Sequence, residues 1–157
     1  MIHLEQALKK YNLTFPAPPA KAGIYEPVKE FGANFCYLSG CVPVFNGEAR
    51  WQGKLGGEFS VEQGQEAARV CALNLLANIK AKYGSLERVK RIVKMLAFVA
   101  GTDTFYDHPK VANGASELFV DVFGEEAGRC SRSAIGVNAL PGNAPVEIEL
   151  LVELNAA

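Results

Sequence analysis

Arg132 and Glu147 are the two side chains in this sequence whose types and spacing could do chemistry. Each stands at the mouth of an apolar run that reads as a strand, 133–140 and 146–154, and a Pro-Gly-Asn turn joins the runs as a closing hairpin. Glu149 and Glu153 follow Glu147 at strand spacing, so Glu149 shares its side of the strand and competes for the role of acid. A cation and a carboxylate on neighbouring strands can pair with each other, which at a surface contributes about 0–1 kcal/mol. They can hold a subunit contact. They can also form a site, with the arginine fork gripping a substrate carboxylate and the glutamate positioning or activating a water. A guanidinium beside a buried sheet needs an anion to offset its desolvation, which weighs toward the site.

Other chemistries have little material here. His3 and His108 are the two histidines, one in a terminal segment and one before a proline, and both read as solvated, so neither a Ser-His-Asp triad nor a histidine-rich metal site is expected. Cys36, Cys41, Cys71 and Cys130 show no CxxC and no zinc-site spacing, and Cys36 and Cys71 lie in apolar runs as buried free thiols. No metal is implied. Sixteen basic and seventeen acidic side chains leave a net charge of −1, without the basic excess of a nucleic-acid binder. The stretch "RVKRIVK" at 88–94 reads as the solvent face of a strand. The absence of a signal peptide or a membrane-length apolar run points to a cytoplasmic protein with reduced thiols and no membrane partner.

These residues need a frame, and the pattern supplies one. The length of 157 residues, with 49% hydrophobic and 21% charged side chains, fits a single domain over 1–157 with a sizeable core. Residues 2–11 read as a short amphipathic helix, an N-terminal extension over 1–13, followed by a proline-rich connector at 14–23. Two strands follow around Gly32-Ala33-Asn34, the second ending at Ser39-Gly40. Residues 45–59 read as a polar, glycine-rich excursion outside the core. A helix from Ser60 to Tyr83 carries a capping box at its start and Gly84 at its end. A strand over 88–101, a loop over 103–110 and a second amphipathic helix over 110–123 lead to the closing pair. This order predicts an α+β fold, a mixed sheet with two helices on one face. The last strand alternates at Val146, Ile148 and Leu150 and places Leu151 and Leu154 on its other side. That second apolar face calls for another copy of the chain, a symmetric homo-oligomer.

The segment "RSAIGVNALPGNAPVEIE" resembles the C-terminal signature of the RidA (YjgF/YER057c/UK114) family. "GIYEP" at 23–27, "YLSGCVPV" at 37–44, "GSLERVKRIVKMLAFV" at 84–99 and "VANGASELFVDVFG" at 111–124 resemble further family segments, so nearly the whole chain is covered. The resemblance implies a chorismate-mutase-like fold and a homotrimer with sites in the clefts between subunits. It implies cofactor-free hydrolysis of enamine and imine metabolites, such as 2-aminoacrylate, to 2-oxo acids and ammonia. Carried over by residue, it places the carboxylate clamp on Arg132, the water-holding acid on Glu147, and substrate-binding positions on Tyr25, Ser39 and Gly40. The alternative within the family is a non-catalytic trimer that binds small carboxylates.

The plain readings of these positions are packing for Tyr25, strand termination for Ser39, and a helix face for Asn113. Trp51 could be a pocket wall or a subunit contact. The sequence departs from the family pattern at Cys41, Cys130, Ala134 and Asn138, and in the longer loops 45–59 and 102–110, as a divergent subgroup would.

Overall fold

The computed structural model describes residues 1–156. In chain order the elements are α1 (Leu4–Lys10), β1 (Val28–Phe31), β2 (Phe35–Cys41), β3 (Val44–Phe45), β4 (Glu48–Ala49), α2 (Val61–Tyr83), β5 (Val89–Ala100), α3 (His108–Phe123), α4 (Glu125–Gly128), β6 (Ser131–Val137) and β7 (Val146–Leu154). Local chemistry sets the ends of α2. The Ser60 hydroxyl accepts from the Gln63 amide at 3.2 Å, and the Gln63 side chain accepts from the Ser60 amide at 2.9 Å. Gly84 closes the helix in the left-handed region, φ 78°, where a side chain would strain the backbone.

The main sheet has the order β1-β2-β7-β5-β6, with β5 and β6 parallel and the other neighbours antiparallel. It is the mixed α+β arrangement expected, with α2 and α3 on one face. The expected closing hairpin does not form, because β5 lies between β6 and β7. The reason is polarity. β7 buries Val146, Ile148, Leu150, Val152 and Leu154 along one side and half-buries most of the other, so it is stable only with a strand on each edge. β6, with Ser131, Arg132, Ser133 and Gly136, tolerates the sheet edge. Residues 138–145 carry the chain across β5, a step of roughly 10 Å, or two strand spacings.

The helix-covered face holds the core, with Met95, Ala97, Val99, Val111, Phe119 and Ile148 fully buried. Leu154 belongs to this face and not to the other, since an even step along a strand returns to the same side. The opposite face carries Leu96, Phe98 and Leu151, partly buried, together with Tyr37 and Ile135, each 44% exposed. Among the described residues no element covers it. The α1 helix docks on α3 through the His3 amide to the Val122 carbonyl at 2.8 Å, and through Lys10 and Tyr11 to Asp121 at 2.7 and 2.6 Å.

Two loop readings change. Residues 45–59 contain the β3–β4 hairpin, turned at Asn46 and Gly47 with positive φ, and they send Leu55 fully into the core. The Leu55 amide donates to the Ala100 carbonyl at 3.0 Å, and its carbonyl accepts from Thr102 at 3.0 Å, so the two long loops brace each other. His108 is half-buried rather than solvated. It packs edge-on against Phe105 and fills the space that the missing Cβ of Gly136 leaves.

Candidate active site

Arg132 leaves β6 on the helix-covered side, since it pairs with the buried Met95 of β5. One turn of α3 presents Asn113 and Ser116 to it, and the guanidinium Nη1 donates to the Asn113 Oδ1 at 2.8 Å and to the Ser116 Oγ at 3.0 Å. Asn113 therefore holds the arginine rather than merely facing solvent. Both partners are neutral. The other cations lining this cavity of about 530 Å³ are tied to acids, Lys10 to Asp121 at 2.7 Å and Arg129 to Glu125 at 2.6 Å. Among the described residues Arg132 has no ion-pair partner. A positioned fork with donors left over has the geometry to accept a planar anion such as a carboxylate. Burial raises the Cys130 thiol beside it, which keeps that group protonated.

Glu147 is built into a different place. The β2–β7 register slips between Leu38 and Cys41, so Ser39 and Gly40 form a bulge opposite Glu149. The Glu147 carboxylate lies against Gly40, where an added Cβ would overlap it and come within 2.9 Å of its Cδ. A side chain at position 40 would have to push that carboxylate aside. Ser39 anchors the segment that roofs the cleft, donating its hydroxyl to the Glu26 carbonyl at 2.7 Å and its amide to the Pro27 carbonyl at 3.0 Å. Tyr25 sits in that roof, its hydroxyl accepting from the Ala22 amide at 3.4 Å. Tyr25, Ser39, Gly40 and Glu147 thus line one cleft of about 920 Å³, and Arg132 is not in it.

Charge follows from the surroundings. Burial, and then the nearby Glu149 carboxylate, raise Glu147 above the ordinary carboxylate range. Glu149 itself accepts from the Tyr37 hydroxyl at 3.0 Å on the uncovered face, so Glu147 is the acid that faces the cleft. Cys41, at the cleft floor, is pushed up to about 12 by burial and then by the Glu147 charge, which leaves it inert as a nucleophile.

Within one chain the arginine and the glutamate stand apart. β5 separates their strands, and Glu147 pairs with Phe98 on the face opposite Met95 and Arg132. The strands are not neighbours as the sequence reading had them. That reading also missed Asn74 and Asn78, buried at 1% and 7%, four residues apart in the apolar stripe of α2. Asn74 donates to the Val42 and Val44 carbonyls at 3.0 and 2.7 Å, and Asn78 lines the cleft with its amide 3.5 Å from the Cys41 sulfur. Two polar side chains at core positions were the available signal.

Residues 5–154 match the family described as "YjgF/chorismate mutase-like, putative endoribonuclease". The chain belongs to the YjgF/RidA-like family. Protein TCP17 of Trypanosoma cruzi is 42% identical over 148 residues, which cover 94% of this chain and 92% of that protein. The crystal structure of Atu1372 from Agrobacterium tumefaciens, described as of unknown function, is 38% identical with a TM-score of 0.88, covering 97% of this chain and 92% of that one. The YjgF/RidA-like structure of E. coli TdcF with bound serine is 25% identical with a TM-score of 0.62, covering 89% and 94% of the two chains. The chorismate-mutase-like fold of the family agrees with the mixed sheet and its helix layer.

Proposed function

We propose that the protein hydrolyses reactive enamine and imine metabolites, such as 2-aminoacrylate, to 2-oxo acids and ammonia. The observation that carries this reading is the pair of complementary half-sites, an arginine fork without a carboxylate and a half-buried carboxylate without a cation. In this reading three copies associate through the uncovered sheet face and its margins, and the Arg132 pocket of one copy meets the Glu147 cleft of the next. Family membership supports it, and so does the serine in TdcF, an amino acid whose carboxylate an arginine fork would suit.

The chemistry then follows from the groups present. Arg132 holds the substrate carboxylate by two parallel hydrogen bonds. An enamine first exchanges its N–H proton for one at its terminal carbon through water and becomes the imine. Protonated Glu147 then gives its proton to the imine nitrogen, and as a carboxylate it takes one from the attacking water. The new C–O bond makes a carbinolamine, the C–N bond breaks as the nitrogen leaves as ammonia, and the 2-oxo acid remains. A residue raised by burial exchanges protons more readily near neutrality than an ordinary glutamate. The backbone at Gly40 and the Tyr25 hydroxyl flank the reacting carbon. No cofactor is required, because an iminium carbon is already electrophilic.

Generating 2-aminoacrylate with a pyridoxal-phosphate enzyme and following pyruvate release tests the proposal. Acceleration over the uncatalysed decay is expected. Decay at the uncatalysed rate, with serine or pyruvate still binding, would favour the second reading, a carboxylate-binding trimer, which the serine in TdcF also suits. Ribonuclease action, which the family description names, finds less support. The net charge is −1, and cations such as Lys10, Lys90, Arg91 and Arg129 are paired with acids. The reading places the protein in the cytoplasm, with no nucleic acid or membrane as partner. Among the described residues no helix is long and apolar enough to cross a membrane.

A further inference from the structure

Asn74 and Asn78 stand one turn apart in the apolar stripe of α2, and their surroundings differ. Burying an amide costs free energy unless hydrogen bonds replace its water, and an apolar side chain would suit either position better. Asn74 has that replacement, since its amide donates to the Val42 and Val44 carbonyls and fixes the end of β2 against the helix. Asn78 does not. Its amide nitrogen makes one long contact, 3.5 Å to the Cys41 sulfur, which is a weak acceptor. Among the described residues its Oδ1 has no partner. The Asn74 Oδ1 is sealed in the core, whereas Asn78 lines the cleft that holds Glu147. Packing alone does not account for Asn78.

The other neutral side-chain oxygens of this cleft are already engaged. The Asn46 Oδ1 accepts from the Ala17 amide at 3.0 Å, the Tyr25 hydroxyl accepts from the Ala22 amide at 3.4 Å, and the Ser39 hydroxyl donates to the Glu26 carbonyl at 2.7 Å. Among the described residues no lysine, arginine or histidine lines the cleft. Asn78 touches Cys41, and the Glu147 carboxylate lies against Gly40, the residue before it. Both groups belong to one chain, so their placement does not depend on a neighbouring copy. A carboxylate and an amide carbonyl set near each other, with no cation beside them, have the chemistry to accept a group that carries N–H donors and positive charge.

We propose that the Asn78 carbonyl oxygen holds the substrate nitrogen, accepting an N–H first of the iminium and then of the protonated carbinolamine, while Glu147 moves the protons. The proposal rests on the imine-hydrolase reading and concerns the nitrogen alone. Both the iminium and the protonated carbinolamine carry positive charge at that nitrogen. As the C–N bond breaks, its electron pair leaves with the nitrogen as ammonia, and the hydroxyl proton passes to the Glu147 carboxylate as the carbonyl forms. A carbonyl dipole already fixed beside the nitrogen stabilises the charge without reorganising.

Alanine and pyruvate differ only at the second carbon, where one carries an ammonium and the other a carbonyl oxygen, so the pair isolates the nitrogen contact. Calorimetry on the full chain should show Asn78→Leu and Asn78→Ala each weakening alanine about 10- to 100-fold, the span of a hydrogen bond to a charged group, with pyruvate changed by less than about twofold. Turnover of 2-aminoacrylate should lose a similar factor in kcat. Both replacements are good helix formers, melting curves report that they fold, and either folded variant decides. Equal losses for alanine and pyruvate would make Asn78 a wall of the cleft and overturn the proposal. Alanine binding that neither variant weakens would overturn it too, as would a parent protein that does not bind alanine. A parent without turnover whose alanine affinity still drops selectively in the variants would overturn the hydrolase reading and leave the nitrogen site standing.

Discussion

Arg132 and Glu147 occupy pockets of opposite design. Around Arg132 every other charge is already answered, and the guanidinium is aimed by two neutral groups of one helix turn. Around Glu147 no side chain among the described residues answers the charge, and a second carboxylate two residues away makes ionisation harder still. The first pocket needs an anion. The second gains from a proton or a cation. A single protomer cannot let them satisfy each other, because β5 and the plane of the sheet lie between. On the proposed reading these are two incomplete half-sites rather than one weak site, to be completed by a ligand, a second copy, or both.

The most severe way to break the comparison is to keep the copies apart. Leu151→Asp puts a charge in the middle of the uncovered face, beside Tyr37 and Lys94. Sedimentation should shift from trimer to monomer, with cooperative melting retained and imine turnover lost altogether. A parent protein that is already monomeric at micromolar concentration and still turns over imines would remove the shared-cleft mechanism.

Next in size is the acid. Glu147→Gln keeps the shape but cannot pass a proton, so kcat should fall about 10²–10⁴-fold while a 2-oxo acid still binds. Equal turnover in the glutamine variant would exclude Glu147 as the acid and direct attention to Glu149. The arginine comes third. Arg132→Lys keeps the charge and loses the fork, and it should weaken 2-oxo acid binding about 10- to 100-fold by calorimetry, with melting nearly unchanged. A large loss of stability with intact binding would make Arg132 structural.

How far these pockets were legible differs between them. The Asn113-to-Arg132 contact spans α3 and β6, two elements that local pattern discloses without showing that they touch. Glu147 was legible as an acid on a strand. Its burial was not, since it depends on the bulge at Ser39-Gly40 and on a proline-rich roof that local pattern marks only as a connector. Capping residues at Ser60 and Gly84 disclosed α2 nearly to the residue, because those signals are local. The position of β7 was misread for the converse reason. Adjacency in sequence favours a hairpin, and only the need to bury both edges of an apolar strand moves β7 to the centre. Leu55 was hidden in the same way, a lone core residue in a glycine-rich loop.

The smallest expected effect tests the electrostatic half of the comparison most directly. Burial and the Glu149 charge raise Glu147 in the folded state, and the unfolded chain loses both influences. The folded protein therefore binds the extra proton more tightly, and that stability is fully present below the ordinary glutamate value. It is lost as pH rises through the raised one. A glutamine at 147 never ionises. Glu147→Gln should match the parent's melting temperature near pH 4 and exceed it by about 2 °C at pH 7. Glu153 supplies the opposite sign. A hydrogen bond from Lys90 lowers it, so its contribution is present above the ordinary value and lost as pH falls through the lowered one. Glu153→Gln should accordingly melt below the parent at neutral pH, and the difference should close in acid. If Glu147→Gln instead melts below the parent at pH 7, a cation already answers that carboxylate in the folded protein. The assembled molecule would then hold the complete charge pair before any ligand arrives.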